Sequence, residues 1–144
     1  MMRLNQHAAA LAREHGATAC TDVTGFGLLG HALEMARGSN LTVTLKAAEV
    51  PLFTQAARLA QDGHVTGASS RNWASYGEAI RLPDDLPDWQ RNLLVDPQTS
   101  GGLLISCAAD RAGSLLETIR GAGYGAARIV GHTETGPSEV RVTA

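Results

Sequence analysis

Three glycines in G-x-G-x-x-G spacing, Gly25, Gly27 and Gly30, lie in the stretch TDVTGFGLLGHALEMA from Thr21 to Ala36, where a helical pattern begins. Such spacing at a strand-to-helix turn can cradle a pyrophosphate on backbone N–H groups. The strand pattern LTVTL and Glu49, roughly 20 residues beyond the third glycine, sit where a dinucleotide fingerprint wants its second strand and its ribose-binding acid. Asp22 and Thr24 argue otherwise, because a fixed carboxylate at the phosphate-facing turn repels pyrophosphate unless a cation lies between them. Three readings stay open: a nicotinamide-dinucleotide site, a cation or phosphate loop, or a helix start that Asp22 or Thr24 caps and whose glycines serve tight packing.

A second glycine-rich stretch, RNLLVDPQTSGGLLIS, runs from Arg91 to Ser106. Asp96, Thr99 and Ser100 supply polar groups around a proline turn, and Gly101 and Gly102 let backbone come close to a ligand or to another chain segment. Either loop alone reads as a turn. Together, each with an acid and hydroxyls at a strand end, they carry more weight.

The other chemistry-bearing residues receive plainer readings. His31 shares the polar face of its helix with Glu34 and Arg37 and is expected to be solvated or a local hydrogen-bond partner rather than a general base. Cys20 and Cys107 stand far apart without C-x-x-C spacing, which gives no disulfide framework and no zinc site and predicts two buried small hydrophobes. Asp84, Asp85 and Asp88 lie among prolines and read as a solvated loop. Trp73, Tyr76 and Trp89 read as core or interface anchors.

The elements that must position these residues follow from periodicity. Leu4, Ala8, Leu11 and Ala12 predict an amphipathic helix ended by Gly16, and ATACTDV then reads as a strand entering the glycine turn. Phe26, Leu29, Ala32, Leu33 and Ala36 form the buried face of a helix over residues 25–37. LTVTLK at 41–46 is a strand, and Pro51 opens a helix over LFTQAARLAQDG that Gly63 ends. Residues 64–89 are loop-rich and resist assignment. The last third predicts a β-α-β-β unit: a buried strand GLLISC, a helix DRAGSLLETIRGAG, and strands AARIVGH and EVRVTA joined through Gly136 and Pro137.

The chain has 144 residues, the size of one domain, and neither an internal repeat nor a linker-like stretch divides it. A formal charge of −2 with scattered Lys and Arg gives no basic stripe, so neither nucleic acid nor an anionic membrane is an expected partner. Polar residues interrupt MMRLNQHAAALAREHG where a signal peptide needs an apolar centre, and no run reaches the roughly 18 apolar residues of a membrane span. A cytoplasmic location is the expectation.

The stretches ACTDVTGFGLLGHALEMARGS and RNLLVDPQTSGGLLIS resemble the two hallmark segments of the C-terminal half of the selenophosphate synthetases, also called selenide, water dikinases. LNQHAAALAREHGA and PLFTQAARLAQDGHVTGASSRN agree in order and spacing, so the resemblance covers nearly the whole chain. It implies an α+β fold, a mixed β-sheet layered with α-helices like the C-terminal domain of aminoimidazole ribonucleotide synthetase. It also implies a reaction in which ATP, selenide and water give selenophosphate, AMP and orthophosphate, in a parent enzyme that is a homodimer.

Carried over residue by residue, the resemblance makes Asp22 the aspartate that helps hold magnesium on the nucleotide phosphates. Thr21, Thr24, Gly25 and Gly27 shape the loop beside it, and the loop of Asp96, Thr99, Ser100, Gly101 and Gly102 packs near the same cleft. The family's ATP-binding half, with its reactive cysteine or selenocysteine and lysine, finds no counterpart in these residues. No catalytic residue is therefore assigned, Cys20 and Cys107 do not fill that role, and the chain by itself is expected to bind Mg2+ and ATP weakly and to be inactive. A non-catalytic binding or assembly module on the same fold is the alternative from another functional class.

Overall fold

Leu29, Ala32, Leu33 and Ala36 form one face of a helix, and that face is the centre of the core: all four are at most 2% exposed. Truncating a leucine in such a position costs about 2–5 kcal/mol, so this stripe does much to hold the fold. In the computed structural model, which describes residues 4–144, the helix α2 spans Gly27–Ser39. Met1, on which the reading of the N-terminal start bears, lies outside the described residues.

Before α2 come helix α1 (Asn5–Glu14) and strand β1 (Ala19–Asp22). After it come β2 (Thr42–Lys46), α3 (Thr54–Gln61), α4 (Gly67–Tyr76), β3 (Ile80–Arg81), α5 (Asp88–Leu94), β4 (Leu103–Ser106), α6 (Ala109–Gly121), β5 (Gly131–Glu134) and β6 (Val140–Thr143). The strands form two sheets. One is the antiparallel pair β1-β4, and the other is a mixed sheet in the order β3-β6-β2-β5. In the mixed sheet β6 runs parallel to both β2 and β3, while β5 is antiparallel to β2. Val43, Leu45, Val140 and Val142 turn from this sheet onto the α2 stripe, and Ile80, Leu94 and Val95 close the cluster. This is an α+β architecture with helices layered on a mixed sheet, as expected.

Three expectations are corrected. The β-α-β-β unit does not exist as a contiguous sheet: β4 pairs with β1, and β5 and β6 are separated by β2. β2 has four consecutive buried residues, Thr42 to Leu45, and hydrogen-bonds to a strand on each side, which places it between the two C-terminal strands. The strand GLLISC is not buried, since Leu103 to Ser106 are all half-exposed. The helix after Pro51 begins only at Thr54, three residues later than the proline signal suggests.

The unassigned stretch folds into α4, a short 3-10 turn, β3 and the start of α5. Thr66 starts α4 by accepting the Ser69 backbone N–H, a start signal that its serine-rich surroundings obscure.

Candidate functional site

The two glycine-rich loops are one structure. β1 and β4 are antiparallel with Asp22 opposite Leu103, and beyond the strands Val23 N–H donates to Gly102 O at 2.9 Å. Thr24 O then accepts from Gln98 N–H at 2.9 Å and from Gly27 N–H at 3.1 Å. The approach leaves no room for side chains at two positions. A Cβ at Gly101 would collide with Val23 O, and one at Gly27, whose φ is +67°, would come within 2.5 Å of the Val95 carbonyl carbon. Asn72 of α4 closes the junction from the far side, its amide donating to Gly25 O and Val95 O, each at 2.9 Å.

At the rim of this junction Asp22 is exposed at the end of β1. Alternation along β1 puts Cys20 on the same outer face and Ala19 and Thr21 on the inner one, where Leu104, opposite Thr21, packs against the core. Thr24 is held inward: its Oγ1 lies 3.1 Å from His31 Nε2, and His31 Nδ1 lies 2.9 Å from Glu34 Oε2. Gly25 and Phe26 form the exposed tip, and the Phe26 carbonyl accepts the Tyr76 hydroxyl. Burial pushes the Tyr76 phenol up to about 12, with the Gly30 backbone N–H acting in the opposite direction. Thr99, Ser100 and Gly102 are exposed on the second loop, and Asn5 donates to Gly101 O at 2.9 Å.

Asp96 is engaged elsewhere. Its Oδ1 accepts the Thr66 and Ser69 hydroxyls, each at 2.7 Å, which ties the second loop to the start of α4. A negative group there also favours the helix N-terminus.

The structure therefore brings Asp22, Thr24, Gly25, Gly27, Gly101 and Gly102 into one rim, with Thr99 and Ser100 beside it and Asp96 at its base. Among the described residues no group of three or more His, Cys, Asp or Glu could hold a metal. Asp22 thus stands as one hard-oxygen donor, and further ligands to a cation there would have to be phosphate, water or groups outside the described residues.

Other expectations are resolved by these surroundings. His31 is a local hydrogen-bond partner, as one of its two readings held, but at 7% exposure it is not on a solvated face. Cys20 is exposed and Cys107 half-exposed, not buried hydrophobes: alternation puts Cys20 on the exposed face of β1, and Cys107 follows the end of β4. Partial burial of the Cys20 thiol and, second, the Asp22 carboxylate push its pKa up. Trp73 and Tyr76 pack against the core cluster as anchors. Of the three clustered acids, Asp88 pairs with Arg91 at 3.1 Å.

The dinucleotide reading fails on topology. A Rossmann unit needs the strands on either side of its glycine helix to lie parallel in one sheet, whereas β1 and β2 belong to different sheets. Asn72, Tyr76 and Asn5 brace the two loops through backbone carbonyls distant in sequence, contacts that leave no local pattern in the sequence.

The family profile described as AIR synthase related protein, C-terminal domain, matches residues 1–143. The chain belongs to that family. Among its curated relatives, the selenide, water dikinase of Rhizobium meliloti (strain 1021) is 57% identical over 139 residues, a match covering 96% of this chain and 40% of that protein. The proteins of the same name from Paraburkholderia xenovorans (strain LB400) and Pseudomonas straminea are 49% and 47% identical over 140 residues, 97% of this chain. The AIR synthase related domain here thus spans about 40% of the length of these relatives. The resemblance carried by its two glycine-rich stretches is borne out.

Proposed function

We propose that this domain is the C-terminal part of a selenophosphate synthetase and that Asp22, at the rim of the joined loops, supplies one ligand of a composite active site. The observation that carries the reading is the junction itself: two separate signature stretches locked backbone to backbone, with a free-standing carboxylate and an uncrowded Gly25 at their edge. The names of its relatives support the substrate class. In the proposed reaction ATP, selenide and water yield selenophosphate, AMP and orthophosphate. Two P–O bonds of ATP are broken, one phosphoryl group going to selenide and one to water.

The donors present suit magnesium, which takes hard oxygens and is commonly held by one or two carboxylates plus substrate phosphates. Bound there, it would neutralise charge on the phosphate oxygens and let a carboxylate stand beside them. Asp22 would hold the ion, while Gly25, with nothing within 4 Å of where a Cβ would sit, leaves space for a phosphate to approach the backbone. The Gly27 and Gly101 contacts keep both loops in register around that space. The nucleophile and ATP-binding groups belong, in this reading, to the family's N-terminal half, and the partners it requires are that half, ATP and selenide. A homodimeric parent enzyme and a cytoplasmic setting are part of the same proposal; among the described residues no helix is long and apolar enough to cross a membrane.

The test is AMP release from ATP, with and without selenide, by the chain alone and after adding a separately purified N-terminal half from the family. Selenide-dependent AMP in the mixture, abolished by Asp22→Ala, is the expected result. Association of the halves without activity would favour a non-catalytic module instead.

A further inference from the structure

Helix α3 is held to the fold by a narrow strip. It rests on α5, and Ala60 is the one buried residue of its eight. Apolar side chains are left in solvent along it: Leu52 and Phe53 just before the helix, Leu59 on it at 52% exposure, and Val65 after it. Leu59 and Val65 also wall a cleft of about 180 Å³, together with Ala56 and Leu93. Apolar side chains exposed in a row on one element mark a surface that another body covers.

The charges on α3 say which body. Arg58 and Asp62 are both exposed, and neither side chain has a hydrogen-bond or ion-pair partner among the described residues. They are four positions apart, but a base N-terminal to an acid is the weaker order for a pair within one helix. At about 100° per residue, Arg58, Asp62 and Leu59 follow one another around the side of α3 that faces away from Ala60, within a sector of about 100°.

Such a sector is complementary to itself in one orientation. When a second α3 lies antiparallel across it, related by a two-fold axis level with residue 60, Arg58 of each copy stands level with Asp62 of the other. The two Leu59 side chains then lie about 3 Å apart along the helix direction, on the other side of the same seam. The Leu52–Phe53 end of each helix is brought toward the Val65 end of its mate. A parallel arrangement in register puts Arg58 beside Arg58 and Asp62 beside Asp62, a like-charge juxtaposition that disfavours it.

We propose that the exposed face of α3 pairs with the same face of a second copy of this chain, Leu59 against Leu59, with two reciprocal Arg58–Asp62 ion pairs beside them. The pairing goes beyond the proposed function and uses no residue of the Asp22 rim. An eight-residue helix makes a small contact, so the association is of the weak, concentration-dependent kind.

Sedimentation equilibrium of the chain, from micromolar to millimolar concentration, should show a reversible dimer. Arg58→Glu and Asp62→Arg each make the facing charges alike and should raise the dissociation constant about 10-fold or more. Leu59→Asp should do the same. All three positions are exposed, so thermal midpoints measured at high dilution should stay near that of the parent protein. An equimolar mixture of Arg58→Glu and Asp62→Arg should regain the dimer, since every acid then faces a base.

A chain that stays monomeric over that range, a dimer indifferent to all three substitutions, or a mixture that remains monomeric overturns the inference. A monomeric chain whose binding to the separately purified N-terminal half is lost in Leu59→Asp overturns it too, and gives this face to that half. The Asp22 reading stands or falls separately, on selenide-dependent AMP release.

Discussion

Gly27 lies so close to Val95 that a Cβ on the glycine would fall 2.5 Å from the Val95 carbonyl carbon and 2.7 Å from its oxygen. This one approach joins the two signature stretches, and it separates the roles of glycines that look alike in the sequence. Gly27→Ala meets both the backbone overlap and a left-handed φ, and should destabilise the protein by roughly 2–4 kcal/mol. Gly25→Ala has open space and should stay within about 0.5 kcal/mol of the parent protein. Urea unfolding of the two variants checks the pair. If Gly25→Ala nonetheless weakens nucleotide-dependent activity of the reconstituted enzyme, its glycine serves the ligand and not the fold.

Asp96 belongs to the stability of the site. Ser69 is 1% exposed, and its hydroxyl donates to Asp96 Oδ1 at 2.7 Å, so Asp96→Ala removes that acceptor and leaves only Thr66 Oγ1, at 3.1 Å, to take its place. The expected cost is about 1–3 kcal/mol. Asp96→Asn, which keeps an oxygen able to accept, should cost less. Mn2+ affinity at the Asp22 rim should be little changed in Asp96→Asn; a loss there as large as that of Asp22→Asn would return Asp96 to the ligand set.

Tyr76 gives a pH dependence with a definite sign. Burial holds its phenol at about 12 against an ordinary 10, because the phenolate would be poorly solvated. The unfolded chain therefore loses this proton first. The Tyr76 contribution to stability is fully present below pH 10 and is lost as pH rises from 10 through about 12. Comparison of unfolding midpoints across that window with those of Tyr76→Phe tests this, since the phenylalanine variant should lack that part of the alkaline decline. Absorbance titration should show a late-forming phenolate that is missing in Tyr76→Phe.

The α2 stripe was readable because four small or branched apolar side chains repeat at helical spacing, and β2 because its run is alternating and β-branched. The glycine loops were readable as a pair but not as a junction, since nothing local in Gly101 reports that Val23 will lie against it. The same limit misplaced β4, whose partner Ala19–Asp22 lies some eighty positions earlier, and hid the exposure of Cys20, which depends on what fails to cover the outer face of β1. Periodicity alone puts His31 on a polar face. Its burial follows from Phe26 and the loop folding over the first turn of the helix, a tertiary effect that overrides the stripe.

Asn72 offers the sharpest check on whether the two loops act as a unit. Its one side-chain nitrogen donates to Gly25 O and to Val95 O, both at 2.9 Å, and so spans the junction that Gly27 and Gly101 pack. Asn72→Ala removes both bonds at once and should cost about 1–3 kcal/mol. The loss should also be local. Hydrogen exchange at the Gly27 and Gln98 amides, which both donate to Thr24 O, should quicken well beyond the change in global stability, while β2 and β6 amides such as Val43 should follow the global change only. Equal acceleration everywhere would mean that the loops open only when the whole domain unfolds. The rim around Asp22 would then be as rigid as the core, and Asn72 would matter to the fold alone.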